Sequence, residues 1–372
     1  MSDNKTNTTN KKRTIKRTIS TLLVLAIGFT ALGLIQHLLV PKYQRGIVEG
    51  SMIEEYYSSV GPHEVLFVGD CEVYENISTV ELWREYGITS YIRGSAQQLT
   101  WNSYYLIEDA FNHAEQLPEV VVFNVLALKY NEPQSETYNR MSIDGMPFSI
   151  TKFNNIYASM TEEESVIEYL FPILRYHDRW SSLVPSDFDY YLEKDLVTVN
   201  GYYMRADVKP QGRFPSAPPL ADYTLGENAM QYLEMMAELC EENGVELLLI
   251  KAPTEWPHWY PEWDEQVELF AREHNINYLN LIPLQDEIGL DMSEDTYDAG
   301  LHLNVYGAEK LARYLGQYLV SNYNLTDWRN NATIAEAWTS LEELYDSILA
   351  RQLYELETYG ELVSFGANAI EE

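Results

Sequence analysis

The stretch VLFVGDCEVYENISTVELWREYG, residues 65–87, joins a short apolar run to an amphipathic segment through a polar turn. The apolar run Val65-Leu66-Phe67-Val68 has no alternating polar residue, which is typical of a strand covered on both faces. Ser78 and Glu81 have the spacing of a capping box, and Gly87 is a typical C-terminal cap. The stretch therefore predicts a strand, a turn and a helix of an α/β domain.

The same alternation of apolar runs and amphipathic segments continues downstream. It predicts a three-layer α/β/α domain with a doubly wound, mainly parallel five-stranded sheet. Ligands of such sheets bind beyond the carboxyl ends of the strands. The further strands are predicted at 89–92, 120–126, 245–250 and 276–280, and the further helices at 97–116, 227–243, 261–274 and 304–322.

Two segments interrupt this alternation. Residues 131–225 form a large insertion, rich in aromatic residues and proline, which we expect to act as a lid or a substrate wall. Residues 326–372 form a C-terminal helical extension, whose apolar residues at helical spacing predict packing on the α/β domain rather than on a partner. The α/β domain itself is expected to span residues 63–325.

Charge is distributed unevenly along the 372 residues, whose formal net charge is -32. Residues 1–45 contain eight Lys and Arg and one Asp, a surplus of seven positive charges, so the rest of the chain is strongly acidic. An acidic body lacks the basic face that nucleic acid requires, and nucleic-acid partners are excluded. Two cysteines cannot form the framework of a disulfide-rich fold.

The N-terminal region has the pattern of a membrane anchor. Residues 19–40 are uncharged and almost wholly apolar, and ~20 such residues span a bilayer core as a helix. Lys and Arg remain cytoplasmic, so the tail 1–18 should lie inside, with the main domain extracellular after a stalk at 41–62. A cleaved signal peptide is the alternative, but no Ala-x-Ala motif ends the apolar run. The sequence predicts a single-pass protein of the cell membrane.

Three residues in two places have the order of a catalytic triad. Cys71 follows the first strand after Gly69-Asp70, where a small residue lets the chain turn sharply and present a nucleophile. Asp298 and His302 precede the last helix of the α/β domain, and Asp295 is a second possible acid. An acid that orients a base, and a base that deprotonates a nucleophile, perform acyl transfer. Alternatively, Cys71 is a small buried core residue.

Gly69-Asp70-Cys71, with Asp298 and His302, resembles the motifs of the SGNH/GDSL hydrolase superfamily over residues 60–325, apart from the insertion. The anchor and the insertion are similar to those of membrane-tethered members that act on cell-envelope polymers. The resemblance implies a three-layer fold and acyl transfer or ester hydrolysis. We expect an esterase or acyltransferase of acylated envelope glycans or polymers; a thiol-dependent acyl relay that serves a membrane O-acyltransferase partner is a further alternative. A catalytically inactive protein that binds glycan or scaffolds an envelope complex is the alternative.

The chain departs from the family's pattern at three points. Cys71 replaces the usual Ser, the separation of Asp298 from His302 is one residue longer, and the third block, Gly-x-Asn-Asp, is missing after the third strand. We therefore expect the oxyanion to be bound by backbone N–H groups near Cys71, Gly94 and Ser95, with Asn124 or Asn131 as substitute donors.

Further residues are candidates for substrate binding. Gln97 or Gln98 is expected to donate from its side chain, Lys251 to face the cleft, and Trp256 to stack on a sugar ring, although core packing is the more common use of Trp. Arg175 and His177 in the insertion are expected to bind a carboxylate or phosphate, or to form a structural ion-pair network. The histidines are scattered, without zinc spacing, and neither a metal nor a cofactor is expected.

Overall fold

In the computed structural model, residues 3–41, 52–192 and 196–364 are described, with side chains from Arg13 onward. The chain divides into two compact units. The sheet unit comprises residues 43–169 and 196–372, and the anchor unit comprises residues 1–42 and 170–195.

The sheet unit is built on five parallel strands in the order β2-β1-β3-β4-β5. The strand order reverses between β1 and β3, and in such folds a ligand binds at the carboxyl ends of the strands at this point. The predicted α/β class and the parallel sheet are confirmed. The strands are β1 Val65–Gly69, β2 Ser90–Gly94, β3 Val120–Asn124, β4 Glu246–Lys251 and β5 Asn277–Asn280.

Helices cover both faces of the sheet, because the strands bury apolar side chains on both sides. Fifteen α-helices occur in the described part of the chain: α1 Asp3–Leu39, α2 Met52–Glu55, α3 Cys71–Tyr74, α4 Thr79–Tyr86, α5 Thr100–His113, α6 Glu136–Ile143, α7 Ile150–Ser159, α8 Val166–Leu170, α9 Ile173–Tyr176, α10 Pro185–Leu192, α11 Glu227–Asn243, α12 Pro261–Glu273, α13 Gln285–Ile288, α14 Val305–Asn322 and α15 Ala332–Tyr359. Residues of α4 and α14 pack on one face, and residues of α5, α11 and α12 on the other. The domain is therefore doubly wound in three layers.

The caps of α4 show how local sequence sets this alternation. Ser78 Oγ accepts a hydrogen bond from the backbone N–H of Glu81 at 3.2 Å, so α4 begins where the sequence predicts. The Glu81 carboxylate pairs with Arg313 instead of completing the capping box. Gly87 ends the helix with φ +68°, and a Cβ there would also lie 2.0 Å from Asp327 Oδ1. Glycine is therefore required at this position for both reasons.

The C-terminal extension packs on the α/β domain, as predicted. Trp338 of α15 is fully buried and stacks on Trp83 of α4, with ring centroids 5.0 Å apart at 14°. The insertion is mainly short helices, α6 to α10. Residues 203–226, which we call the return segment, have no helix or strand and lead to α11.

Residues Arg13–Leu39 of α1 are long and apolar enough to cross a membrane. The predicted stalk lies outside the described residues at 42–51. Its second half was predicted wrongly, because Met52 and Ile53 are buried in cores of the sheet unit. Their apolar side chains therefore begin the folded domain before residue 63.

Candidate functional site

Cys71 stands at the carboxyl end of β1, on a turn that only glycine permits. Gly69 has φ +155°, and a Cβ there would lie 2.6 Å from Val73 Cγ2. Asp70 Oδ1 accepts a hydrogen bond from the backbone N–H of Glu72 at 3.2 Å. This cap starts α3 at Cys71 and sets the thiol at the edge of the sheet where ligands bind.

His302 is oriented by Asp298, in the loop before α14. His302 Nδ1 lies 2.6 Å from Asp298 Oδ2, and Asp298 Oδ1 accepts the backbone N–H of His302 at 2.8 Å. This contact places a proton on Nδ1 and leaves Nε2 for the nucleophile. The alternative acid, Asp295, instead lies 2.6 Å from Lys310 Nζ. The structure therefore brings Asp298, and not Asp295, to the imidazole.

Cys71 and His302 lie close together, and a second carboxylate lies beside them. The ligand atoms of Cys71, Glu75 and His302 are all within 4.8 Å of one another. Glu75 Oε2 lies 3.7 Å from His302 Nδ1 and accepts the hydroxyl of Tyr297. The sequence analysis missed Glu75. Its spacing, four residues after Cys71 across the short helix α3, was the available signal.

The surroundings raise the pKa of both Cys71 and His302. Burial raises the pKa of Cys71 to about 11; the carboxylates of Asp70 and Glu75 raise it too, and His302 lowers it. Burial lowers the pKa of His302, but Glu75, Cys71 and the hydrogen bond to Asp298 outweigh burial, and the pKa lies well above 6.5. These shifts favour the protonated forms, a thiol for Cys71 and an imidazolium for His302.

Lys251 belongs to a buried network around Glu72, the residue after Cys71, and does not face a cleft. Lys251 Nζ lies 2.9 and 3.0 Å from the two carboxylate oxygens of Glu72, and neither side chain is more than 1% exposed. Thr254 Oγ1 donates to the same carboxylate at 2.8 Å. The expectation that Lys251 binds substrate is corrected, because its ammonium forms a buried ion pair with Glu72, the residue after Cys71.

Asn124 belongs to the same network. Its Nδ2 donates to Asp70 Oδ1 at 3.2 Å and to Glu72 Oε2 at 3.1 Å, and its Oδ1 accepts the backbone N–H of Ala252. Both amide hydrogens are therefore engaged, which disagrees with the expected role as an oxyanion donor. Burial and Glu72 raise the pKa of Asp70 to about 6.

Gly94, the last residue of β2, is the register partner of Gly69 in β1, and it therefore lies close to the turn at residues 69–71. Ser95 is buried, with its hydroxyl 2.6 Å from Ser142 Oγ and 3.0 Å from Gln98 Oε1. The backbone role expected for Gly94 and Ser95 stays a prediction. Gln97 is exposed with φ +50°, a conformation that costs energy outside glycine and is frequent at functional sites.

Lys129 is a second group that the sequence analysis did not assign. It ends the 3-10 helix Val125–Lys129 that follows β3, where the third block of the SGNH/GDSL pattern would stand. Burial lowers its pKa, while Asp70, Glu72 and Cys71 favour its charged form. A partly buried cation thus stands within electrostatic range of the thiol.

Trp256 forms part of an aromatic wall in the sheet unit. Its ring stacks on Phe214 of the return segment, with centroids 5.6 Å apart at 24°. The return segment also pairs with the loop that carries Asp298 and His302, because Lys209 N–H donates to Thr296 O and Lys209 O accepts from Ala299 N–H. Trp256 therefore lies on a wall continuous with that loop.

Arg175 and His177 belong to the anchor unit. Arg175 lies in α9, and His177 Nδ1 lies 2.9 Å from the carbonyl oxygen of Leu174. Their expected contact with substrate stays a prediction. The second cysteine, Cys240, is buried in α11, and burial raises its pKa to about 12.

The cluster Cys71, Glu75 and His302 also offers the three ligand types that zinc prefers. These are the residues of the described chain that we consider able to hold a metal ion. No protein-family model matches the chain, and no curated protein matches its sequence.

Proposed function

We propose that this protein is an acyl esterase or acyltransferase of the SGNH/GDSL type that acts on acylated glycans or polymers of the cell envelope. The observation that carries the proposal is the cluster at the carboxyl edge of β1, where the ligand atoms of Cys71 and His302 lie within 4.8 Å of each other and His302 Nδ1 lies 2.6 Å from Asp298 Oδ2. The apolar helix α1 supports an attachment to the cell membrane, with the sheet unit outside.

Cys71 Sγ attacks the acyl carbonyl carbon, and the thiol proton moves to Nε2 of neutral His302. The new S–C bond converts the carbonyl oxygen to an oxyanion. When the oxyanion collapses, the ester C–O bond breaks, and the leaving alcohol takes the proton from His302, so that a thioester remains. Water or a polymer hydroxyl then attacks the thioester, gives its proton to His302, and expels the Cys71 sulfur, which takes that proton back.

The oxyanion requires donors or a cation that the family's usual Asn does not supply here. Asn124 is engaged, so we assign electrostatic stabilisation to Lys129 and hydrogen bonding to backbone N–H groups near Cys71 and Gly94. Lys129→Met should reduce acyl release at least tenfold, and Lys129→Arg should retain more activity than Lys129→Met. Equal activity of the two variants would remove Lys129 from the mechanism.

The aromatic wall favours a carbohydrate over a small free ester. Trp256 and Phe214 present stacked rings beside the loop of His302, and aromatic faces bind sugar rings through their C–H surfaces. The exposed side chain of Gln97 supplies a donor and an acceptor for sugar hydroxyls. Loss of Trp256 should therefore weaken the binding of an acylated oligosaccharide more than that of a simple aryl ester.

The decisive experiment measures acyl release from an aryl ester, and acyl transfer to the protein by intact mass. Wild type should gain the mass of one acyl group, and Cys71→Ala should lose both the adduct and the turnover. Cys240→Ala is the matched control, because it removes the other free thiol, which is buried in α11. Unchanged turnover in Cys71→Ala would refute the proposal.

A catalytically inactive glycan-binding protein is the second candidate. The observation that favours it is the pKa of Cys71, which burial raises to about 11, together with the engaged amide of Asn124. In that case Cys71 would react with iodoacetamide no faster than free cysteine across the whole pH range, and Trp256→Ala would still reduce glycan binding.

A further inference from the structure

The anchor unit has a face of large apolar side chains that are exposed to solvent. They occur along residues 171–192, within and around α9 and α10. Soluble surfaces rarely leave so many large apolar residues together without a partner. The apolar face consists of Phe171, Leu174, Trp180, Val184, Phe188 and Leu192, of which Trp180 is 68% and Leu192 82% exposed.

The spacing within α10 makes the face one-sided. Val184, Phe188 and Leu192 follow one another at intervals of four and share one side of the helix. Ser186 is exposed at a position turned away from that row. The segment thus has the amphipathic pattern of a helix that lies in a membrane interface, with an exposed Trp as such helices often have.

This segment is bonded to the end of α1. Arg179 Nη1 donates to the carbonyl oxygen of Leu39, the last residue of α1, at 2.9 Å, and the same guanidinium pairs with Asp187 of α10. The rings of His37 and Tyr191 are 5.3 Å apart. The apolar face is therefore fixed to the C-terminal turn of the apolar helix.

The burial of α1 indicates where a bilayer would end. Most side chains from Arg13 to Ile35 are exposed, whereas Leu39 is buried within the anchor unit. A helix rises ~1.5 Å per residue, so the uncharged residues from Ile19 to Leu38 span about 30 Å, the thickness of a hydrocarbon core. Arg179, bonded at Leu39, thus lies at the boundary between hydrocarbon and headgroups.

We propose that the apolar face of residues 171–192 inserts into the surface of the phospholipid bilayer that α1 spans. The proposal rests on the membrane attachment of the proposed function. The Trp180 ring would lie at headgroup level, and the row of α10 would contact acyl chains. Residues 169 and 196 of the sheet unit are covalently joined to this segment, so insertion adds two tethers to that of α1 and favours substrates that lie near the membrane.

Environment-sensitive NBD labels on single cysteines test this inference in the full-length protein, reconstituted in phosphatidylcholine nanodiscs. The background carries Cys71→Ala and Cys240→Ala, since catalysis is not needed. Phe188→Cys reports the apolar face, Ser186→Cys is the matched control on the other side of α10, and Leu25→Cys reports the span of α1. Doxyl-labelled lipid quenches labels in the bilayer, and iodide quenches labels in water.

We expect the label at residue 188 to be quenched several-fold more by doxyl lipid than the label at residue 186, and iodide to show the reverse order. Lipid quenching at residue 25 without lipid quenching at residue 188 would overturn the inference and leave the anchor intact. Absence of lipid quenching at residue 25 would overturn the membrane attachment itself. Protection of residue 188 from both quenchers would mean that another protein surface covers the face, and would also overturn the inference.

Discussion

Replacement of Glu75 by Gln removes one negative charge from the Cys71–His302 pair and changes little else. The amide has nearly the size of the carboxylate and keeps an oxygen that accepts the Tyr297 hydroxyl. The Glu75 carboxylate raises the pKa of both Cys71 and His302. Glu75→Gln should therefore lower the pKa at which the pair releases its first proton.

The size of the shift follows from the separation of Glu75 Oε2 and His302 Nδ1, which is 3.7 Å. Coulomb's law gives about 1 kcal/mol for this separation in water and about 4.5 kcal/mol at an effective dielectric constant of about 20. One pKa unit corresponds to ~1.4 kcal/mol, so the midpoint should fall by about 1 to 3 pH units.

The assay follows the rate constant for alkylation of Cys71 by iodoacetamide as a function of pH. A Cys240→Ala background leaves Cys71 as the one thiol of the chain. Only the deprotonated pair reacts, because the thiolate is the nucleophile, and the rate reports a pKa that belongs to the pair rather than to either residue. Wild type should show its midpoint above neutral pH, since the pKa values of both Cys71 and His302 are raised.

Glu64→Gln is the matched control. Glu64 is also buried, but its carboxylate accepts the backbone N–H of Thr326. It lies directly before β1, at the opposite end of the strand from Cys71. Its midpoint should equal that of wild type. A Glu75→Gln midpoint that stays fixed or rises, in a variant whose thermal unfolding remains cooperative, would refute the assignment of Glu75 as the charge that holds the pair protonated.

Lys251→Met should lower the free energy of unfolding by about 3–5 kcal/mol in urea titrations, because the buried Glu72 carboxylate would lose its ion-pair partner. Removal of the exposed Arg329 should cost less than about 1 kcal/mol, and equal losses would contradict the buried pair. Trp338→Ala should cost about 3–5 kcal/mol by the same measurement, and a negligible loss would mean that α15 contributes little to the fold. Micromolar Zn²⁺ should slow the alkylation of Cys71 and EDTA should restore it, whereas an unchanged rate would exclude a metal site.

The sheet could be predicted from sequence because its strands are buried on both faces. Continuous apolar runs such as Val120–Phe123 have few other uses in a chain of this length, and glycine caps such as Gly87 and Gly244 mark where helices end. The triad order was also visible, since Cys71 and His302 each stand where a strand or loop meets a helix. These are local signals, and local signals determine where an element begins or ends.

The roles of Lys251 and Asn124 could not be predicted in this way. Both end a strand at the carboxyl edge, and the sequence places them there correctly. Whether such a side chain faces a cleft or turns beneath the adjacent strand depends on which partner reaches it. Here that partner is Glu72, 179 residues from Lys251 in the chain, and no spacing rule connects the two.

The charges around Cys71 determine which mechanism this thiol would need. In a thiolate–imidazolium pair the sulfur needs no base, but two carboxylates, Asp70 and Glu75, and burial all disfavour the thiolate here. The thiol is protonated at neutral pH, as a serine hydroxyl would be, so the proposed mechanism requires neutral His302 as a base and Asp298 to orient it. The proposed mechanism therefore resembles that of a serine hydrolase with sulfur as the attacking atom, and it predicts an activity that rises with pH above neutrality rather than levelling off below it.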